Sequence, residues 1–133
     1  MIRDVMLALG RYRFSVPTAA YSELKRITAY RWTTQERINR MPAMQYLGLG
    51  QEEITITGTI YPYFNGGLRQ VDQMRAEAAQ GLPQLLVDGF GFVWGEYVVE
   101  RIEETRTDIR RAGIPEKIEF NLTLKYYGGD DEI

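Results

Sequence analysis

The chain has 133 residues, 44% apolar and 26% charged, with no cysteine and no histidine. That is enough for one hydrophobic core, and it excludes disulfides, thiol nucleophiles, Cys/His zinc sites and imidazole catalysis. A net charge of −2 argues against a generic nucleic-acid binder, and no apolar run approaches the roughly 20 residues of a membrane helix.

The first segment, MIRDVMLALGRYRF, has one short apolar patch and no small-residue cleavage site, so it reads as a first strand and not as a signal peptide. RYRFSV at 11–16 is a further short strand. In ELKRITAYRWTTQERI, residues 23–38, Leu24 and Ile27 sit at helical spacing, but Thr28, Tyr30, Trp32 and Thr34 alternate and favour extended structure. EEITITGTIY, residues 52–61, sets Ile54, Ile56, Gly58 and Ile60 against Glu53, Thr55, Thr57 and Thr59, the period of a strand. GLG at 48–50 reads as lying between a loop and that strand.

GGLRQVDQMRAEAAQGLP, residues 66–83, predicts the one helix, near 67–81. Leu68, Val71, Met74 or Arg75, and Ala78 form a core-facing stripe, with Gln70, Gln73 and Glu77 opposite. Gly81 and Pro83 form its stop signal.

VDGFGFVWG, residues 87–95, holds three glycines. A phosphate-binding loop needs a strand, a glycine turn and then a helix, so that N–H groups at the helix start face the anion. Here the next element, WGEYVVERIEETR (94–106), is extended. Asp88-Gly89 therefore reads as a hairpin turn, and Gly91 and Gly95 mark a bulge or a close backbone contact. KIEFNLTLKYY, residues 117–127, is the cleanest strand: Ile118, Phe120, Leu122, Leu124 and Tyr126 alternate with polar residues. GGDDEI ends the chain, and residues 128–133 are expected to be a flexible tail. The whole, 1–133, reads as a single domain.

No constellation of catalytic residues emerges. Glu100, Glu103 and Glu104, near Arg101 and Arg106, suggest a solvated face, with strand alternation placing Glu100 and Glu104 together. Asp130, Asp131 and Glu132 lie in the tail, without the rigidity a cation site needs. Neither enzyme activity nor a metal or cofactor is expected.

Charge and aromatic content point instead to an interface. Residues 1–50 carry eight basic and three acidic side chains, a net of +5; residues 51–133 carry eight and fifteen, a net of −7. Thirteen of the sixteen cations are arginine, the cation favoured at protein interfaces, although coding bias also yields such usage. Tyr30, Trp32, Tyr61, Tyr63, Phe64, Trp94, Tyr97, Tyr126 and Tyr127 supply many aromatics, suited to protein contacts or, second, to stacking on single-stranded nucleic acid.

The order of several short motifs resembles the U-type (GpU) tail proteins of temperate phages with contractile tails. The pattern runs through Tyr30, Arg31 and Trp32, then Gln35, Glu36 and Arg37, Pro42 and Gln45, Gly48 and Gly50, Gly58, Tyr61 and Pro62, and closes at Gly66, Gly67 and Leu68. It continues in Leu85–Gly89, ERIEET at 100–105 and IEFNLTL at 118–124.

The resemblance implies a mainly β fold, an antiparallel β-sandwich or barrel similar to tail-tube subunits, with one flanking helix. It implies a structural, non-enzymatic role: forming or clamping a tube-like ring near the baseplate hub and linking tube to baseplate and sheath. A head-proximal terminator ring is the alternative within that class. A small β-domain binding nucleic acid or a ligand is the alternative outside it. The implied partners are other copies, in a ring of six, and tube, hub and sheath-initiating proteins, with no membrane and no sequence-specific nucleic acid. The implied setting is a virion tail or a phage-derived contractile particle, made in the host bacterial cytoplasm. The interface residues this suggests are Tyr30, Arg31, Trp32, Arg37, Glu100 and Glu104. Lys125, near the tail, is expected to matter less.

Overall fold

A computed structural model describes residues 5–15, 19–62, 67–109 and 111–128. Of the tail expected at 128–133, residues 129–133, with Asp130, Asp131 and Glu132, lie outside these residues, as do Tyr63, Phe64 and Gly66. Seven strands, β1 (Val5–Leu9), β2 (Tyr12–Ser15), β3 (Tyr21–Gln35), β4 (Ala43–Ile60), β5 (Gln84–Asp88), β6 (Val93–Ile109) and β7 (Pro115–Tyr126), accompany the helix α1 (Gln70–Ala78). They form one sheet in the order β2-β1-β5-β6-β7-β4-β3, every pairing antiparallel. The expectation of a mainly antiparallel β fold with one helix holds.

One face of this sheet forms the core. Ile54, Ile56 and Ile60 of β4 and Ile118, Phe120, Leu122 and Leu124 of β7 are buried, as period-two alternation requires. Gly58 stands opposite Phe120 in the ladder, and a Cβ there would sit 2.5 Å from Phe120 Cζ and 2.6 Å from the Ala20 carbonyl oxygen. The ring covers the glycine, which is why no side chain fits. Phe14 of β2 stacks on Phe120 at 6.1 Å and meets Tyr21 of β3 edge-on at 6.2 Å. The two outermost strands thus meet across the core, and the single sheet curls towards a barrel.

The helix covers part of this core with Val71 and Met74. It is shorter than 67–81: Arg69 has non-helical backbone angles, no side chain caps the start, and Gly81 ends it at φ +69°. Gln70, expected on the polar face, accepts a 2.7 Å hydrogen bond from the Tyr12 hydroxyl, whose pKa burial raises.

Four local expectations are corrected. Residues 5–14 do not form one strand; Gly10, at φ +58°, turns β1 back into β2, the short strand expected at 11–16. Gly48 and Gly50 lie within β4, which starts at Ala43. The turn after β5 is not a two-residue Asp-Gly turn. Gly91 N–H donates to the Asp88 carbonyl, Asp88 N–H to the Phe92 carbonyl, and the positive φ falls on Gly91. That is a three-residue loop with a glycine bulge, as the bulge reading of Gly91 anticipated; Gly95 sits at a second irregularity, between Leu86 and Val87 of the partner strand.

Finally, Glu100 and Glu104 do not share a face. Val99 pairs with Leu124 but Arg101 with Thr123, so Glu100 is an extra residue. The bulge inverts the alternation beyond it. Glu100 pairs with Lys125 at 3.2 Å, whereas Glu104 turns towards the helix and takes Arg75 at 2.7 Å and Arg106 at 2.9 Å. Its side chain is only 9% exposed, so it is no solvated-face residue.

Candidate assembly surface

β3 and β4 are fifteen and eighteen residues long, but β7 pairs only with Glu53–Ile60 of β4. Beyond Thr28 and Glu52 no third strand among the described residues pairs with the hairpin. It continues as a two-stranded arm about 25 Å long, at about 3.3 Å per residue. Its ladder runs from Tyr30 opposite Leu49, through Arg31 with Gly48 and Trp32 with Tyr46, to Gln35 with Ala43.

Two irregularities shape the arm. The register shifts between Thr28 and Tyr30 and between Arg31 and Trp32, and β4 supplies the extra residue each time. Gly48, at φ +115°, adopts a conformation that side-chain-bearing residues rarely take. In sequence Tyr46 and Leu49 are out of phase; the bulge brings both to the face of Tyr30 and Trp32. The result is one stripe of Tyr30, Trp32, Met44, Tyr46 and Leu49, all exposed, with Tyr30 at 58% and Trp32 at 54%. The Trp32 and Tyr46 rings lie 4.9 Å apart.

At the tip Asn39 takes φ +58°, and the Arg37 Nε and Nη2 both donate to the Met41 carbonyl, at 3.1 and 2.8 Å. Ile38 beside it is 90% exposed. Among the described residues, nine of the seventeen exposed large apolar side chains fall between Ile27 and Leu49. An isolated two-stranded hairpin is marginal in water, and a concentrated apolar patch marks a contact surface.

A polar network anchors the arm at its root. Arg26 pairs with Glu52 at 2.9 Å and lies 4.9 Å above the Trp94 ring. The Tyr97 hydroxyl donates to the same Glu52 carboxylate; burial first, then this bond, raise the tyrosine pKa. The Trp94 indole N–H reaches Asp88 at 3.3 Å. Desolvation pushes the Asp88 pKa up, but hydrogen bonds from Trp94 and from the Phe90, Phe92 and Gly91 backbones outweigh it and hold the pKa low. A cleft of ≈380 Å³ lies here, lined by Arg26, Leu49, Glu52, Trp94 and Tyr126 among others. Sequence reading missed this network, because its members come from four strands, β3, β4, β5 and β6, that are spread along the chain.

Of the six suggested interface residues, the arm gathers Tyr30, Arg31, Trp32 and Arg37. Glu100 and Glu104 lie elsewhere, on opposite faces of β6, and both are paired within the chain. Lys125 is not peripheral: it sits mid-sheet between Glu53 and Glu100. Among the described residues no group of three or more acidic side chains is placed to hold a metal ion, and no helix is long and apolar enough to cross a membrane.

A long projecting arm with an exposed apolar stripe marks a contact surface, and comparison with known proteins gives the family. The fold is similar to a chain in the virion of a native gene transfer agent (GTA) particle, with TM-score 0.60 and 10% identity over 96% of this chain and 93% of that one. It is also similar to a chain in the tail of an empty GTA particle refined with helical C6 symmetry, with TM-score 0.54 and 11% identity over the same shares. At such identities the likeness is one of fold. A probable tape measure protein of Halomonas phage phiHAP-1 is 29% identical over 126 residues; these cover 93% of this chain but only 14% of that protein's length. The family described as Phage P2 GpU matches residues 10–129. The chain therefore belongs to the GpU family and is a structural protein of a phage tail.

Proposed function

We propose that the chain is a non-enzymatic assembly subunit that forms or clamps a tube-like ring near the baseplate hub, linking tube to baseplate and sheath in a contractile tail. The observation that carries this is the arm: among the described residues nothing covers its apolar stripe, and none pairs with the outer edge of either strand beyond Glu52. A neighbouring subunit or ring supplies both cover and edge pairing. The C6 symmetry of a tail with a similar fold supports a ring of six.

The test is a reconstruction of tail particles carrying this chain. Six copies in one ring at the hub-proximal end are expected. A ring at the head-proximal end gives the terminator role instead, and copies repeated along the tube reject both.

A further inference from the structure

The arm is not the molecule's one unpartnered apolar surface. β7 stops at Tyr126, opposite Tyr97; past that point β4 runs on as the arm and β6 runs back to the β5–β6 loop. Arm and loop therefore leave the same end of the sheet. On the loop Phe90 is 94% exposed and Phe92 is also exposed. Their backbone is tied to one group: the Asp88 carboxylate accepts the Phe90 and Phe92 N–H groups at 2.9 and 3.1 Å. Below them, on the side of the sheet away from buried Leu86, lie Leu85, Val87 and Val93, with Val87 opposite Val93 and Leu85 opposite Glu96.

Charge distinguishes the two surfaces. Residues 29–51 carry Arg31, Arg37 and Arg40 against Glu36. The Arg37 guanidinium is committed to Met41, whereas the guanidinium of neither Arg31 nor Arg40 has an ion pair or hydrogen bond among the described residues. The hairpin patch carries Glu96, whose carboxylate is likewise unpaired there.

We infer that the β5–β6 patch is the receiving surface for the arm of a second copy of this chain. The arm is apolar with free cations, and the patch is apolar with a free carboxylate. Each covers in the other what the fold leaves open in every subunit. Such a contact is heterologous, and it closes into a ring when the rotation permits. Copies related by rotation about a ring axis touch at one height along it, and both surfaces lie at one end of the sheet. The opposite charges fix register more than they add affinity. This inference rests on the arm being the assembly element.

Because the chain has no cysteine, introduced cysteines report the contact directly. Met44→Cys and Leu85→Cys together, in tail particles carrying the full chain, should give on oxidation a ladder of covalent multimers of this chain, and neither single variant should. A double-cysteine chain that enters particles but stays monomeric, or links to a different protein, overturns the inference while leaving the arm's role intact. Independently, Arg40→Glu and Glu96→Arg should each lower incorporation by at least about tenfold, and the double variant should recover it. A double variant no better than the singles removes this charge pair and the proposed docking with it. If arm substitutions such as Trp32→Ser do not affect incorporation, the proposed function falls first.

Discussion

The β3–β4 hairpin is one continuous pair of strands with two unlike halves. From Glu53 to Ile60, β4 has β3 on one side and β7 on the other, and its isoleucines are buried. From Ala43 to Glu52 it has β3 alone, and its apolar residues face outwards. Both halves are paired, extended strands. What differs is the third strand and the core behind it, so the first half stabilises the subunit and the second is available to stabilise an assembly. Substitutions should separate the halves: one set should change melting and the other incorporation.

The largest expected effect lies in the buried half. Phe120→Ala removes a ring packed on Gly58 and Phe14 and should cost about 3–5 kcal/mol. That lowers the melting temperature by more than about 10 °C. A shift of a degree or two in thermal melts would mean that the core is held elsewhere. Gly58→Val tests the same contact from the other strand; with its Cβ site within 3 Å of Phe120 and the Ala20 carbonyl, it should cost about 1–3 kcal/mol by overpacking, also read in melts. By contrast, Trp32→Ser in the arm should change the melting of the isolated chain by only about 0.5 kcal/mol yet abolish incorporation into particles. A loss of stability as large as that of Phe120→Ala would erase the distinction between the halves.

The ion pair that ties helix to sheet gives a smaller, pH-dependent effect. Burial alone would raise the Glu104 pKa, but hydrogen bonds from Arg75 and Arg106 lower it below the ordinary glutamate value, and the same bond raises that of Arg75. A carboxylate whose pKa folding depresses stabilises fully above its unfolded value, about 4.3, and loses that contribution as pH falls through the lower folded value. Glu104→Gln should thus cost about 1–2 kcal/mol at pH 7, and its gap from wild type should narrow below about pH 4. A gap unchanged between neutral and acid melts would show that packing, not charge, holds the helix here.

A similarly small effect on folding is expected at the tip. Arg37→Glu removes two hydrogen bonds to the Met41 carbonyl, all in an exposed turn, and should cost within about 1 kcal/mol while blocking incorporation. Folded Arg37→Glu protein that still assembles at wild-type level would remove that arginine from the contact. Lys125→Glu places a third carboxylate beside Glu53 and Glu100, so its effect should appear in melts before it appears in assembly, in keeping with the expectation that it matters less to incorporation than Arg37→Glu.

Much of this was legible in the chain itself. Alternation in 52–61 and 117–127 identified the strands and their buried faces, because a side-chain period of two is a property of the extended backbone alone. Gly81 and Pro83 ended the helix for equally local reasons, and the ordered motifs from Tyr30 to Leu68 carried the family. Three things depended on tertiary structure. Single extra residues at Glu100 and around Gly48 reverse which face a side chain takes, and a bulge is visible only against the partner strand. The root network joins Arg26, Glu52, Asp88, Trp94 and Tyr97 across strands whose adjacency follows from the sheet order. The division of one hairpin into core and arm depends on where β7 ends, at Tyr126. Strand preference is written residue by residue, but burial belongs to whatever packs alongside, and that is fixed only when the sheet has formed.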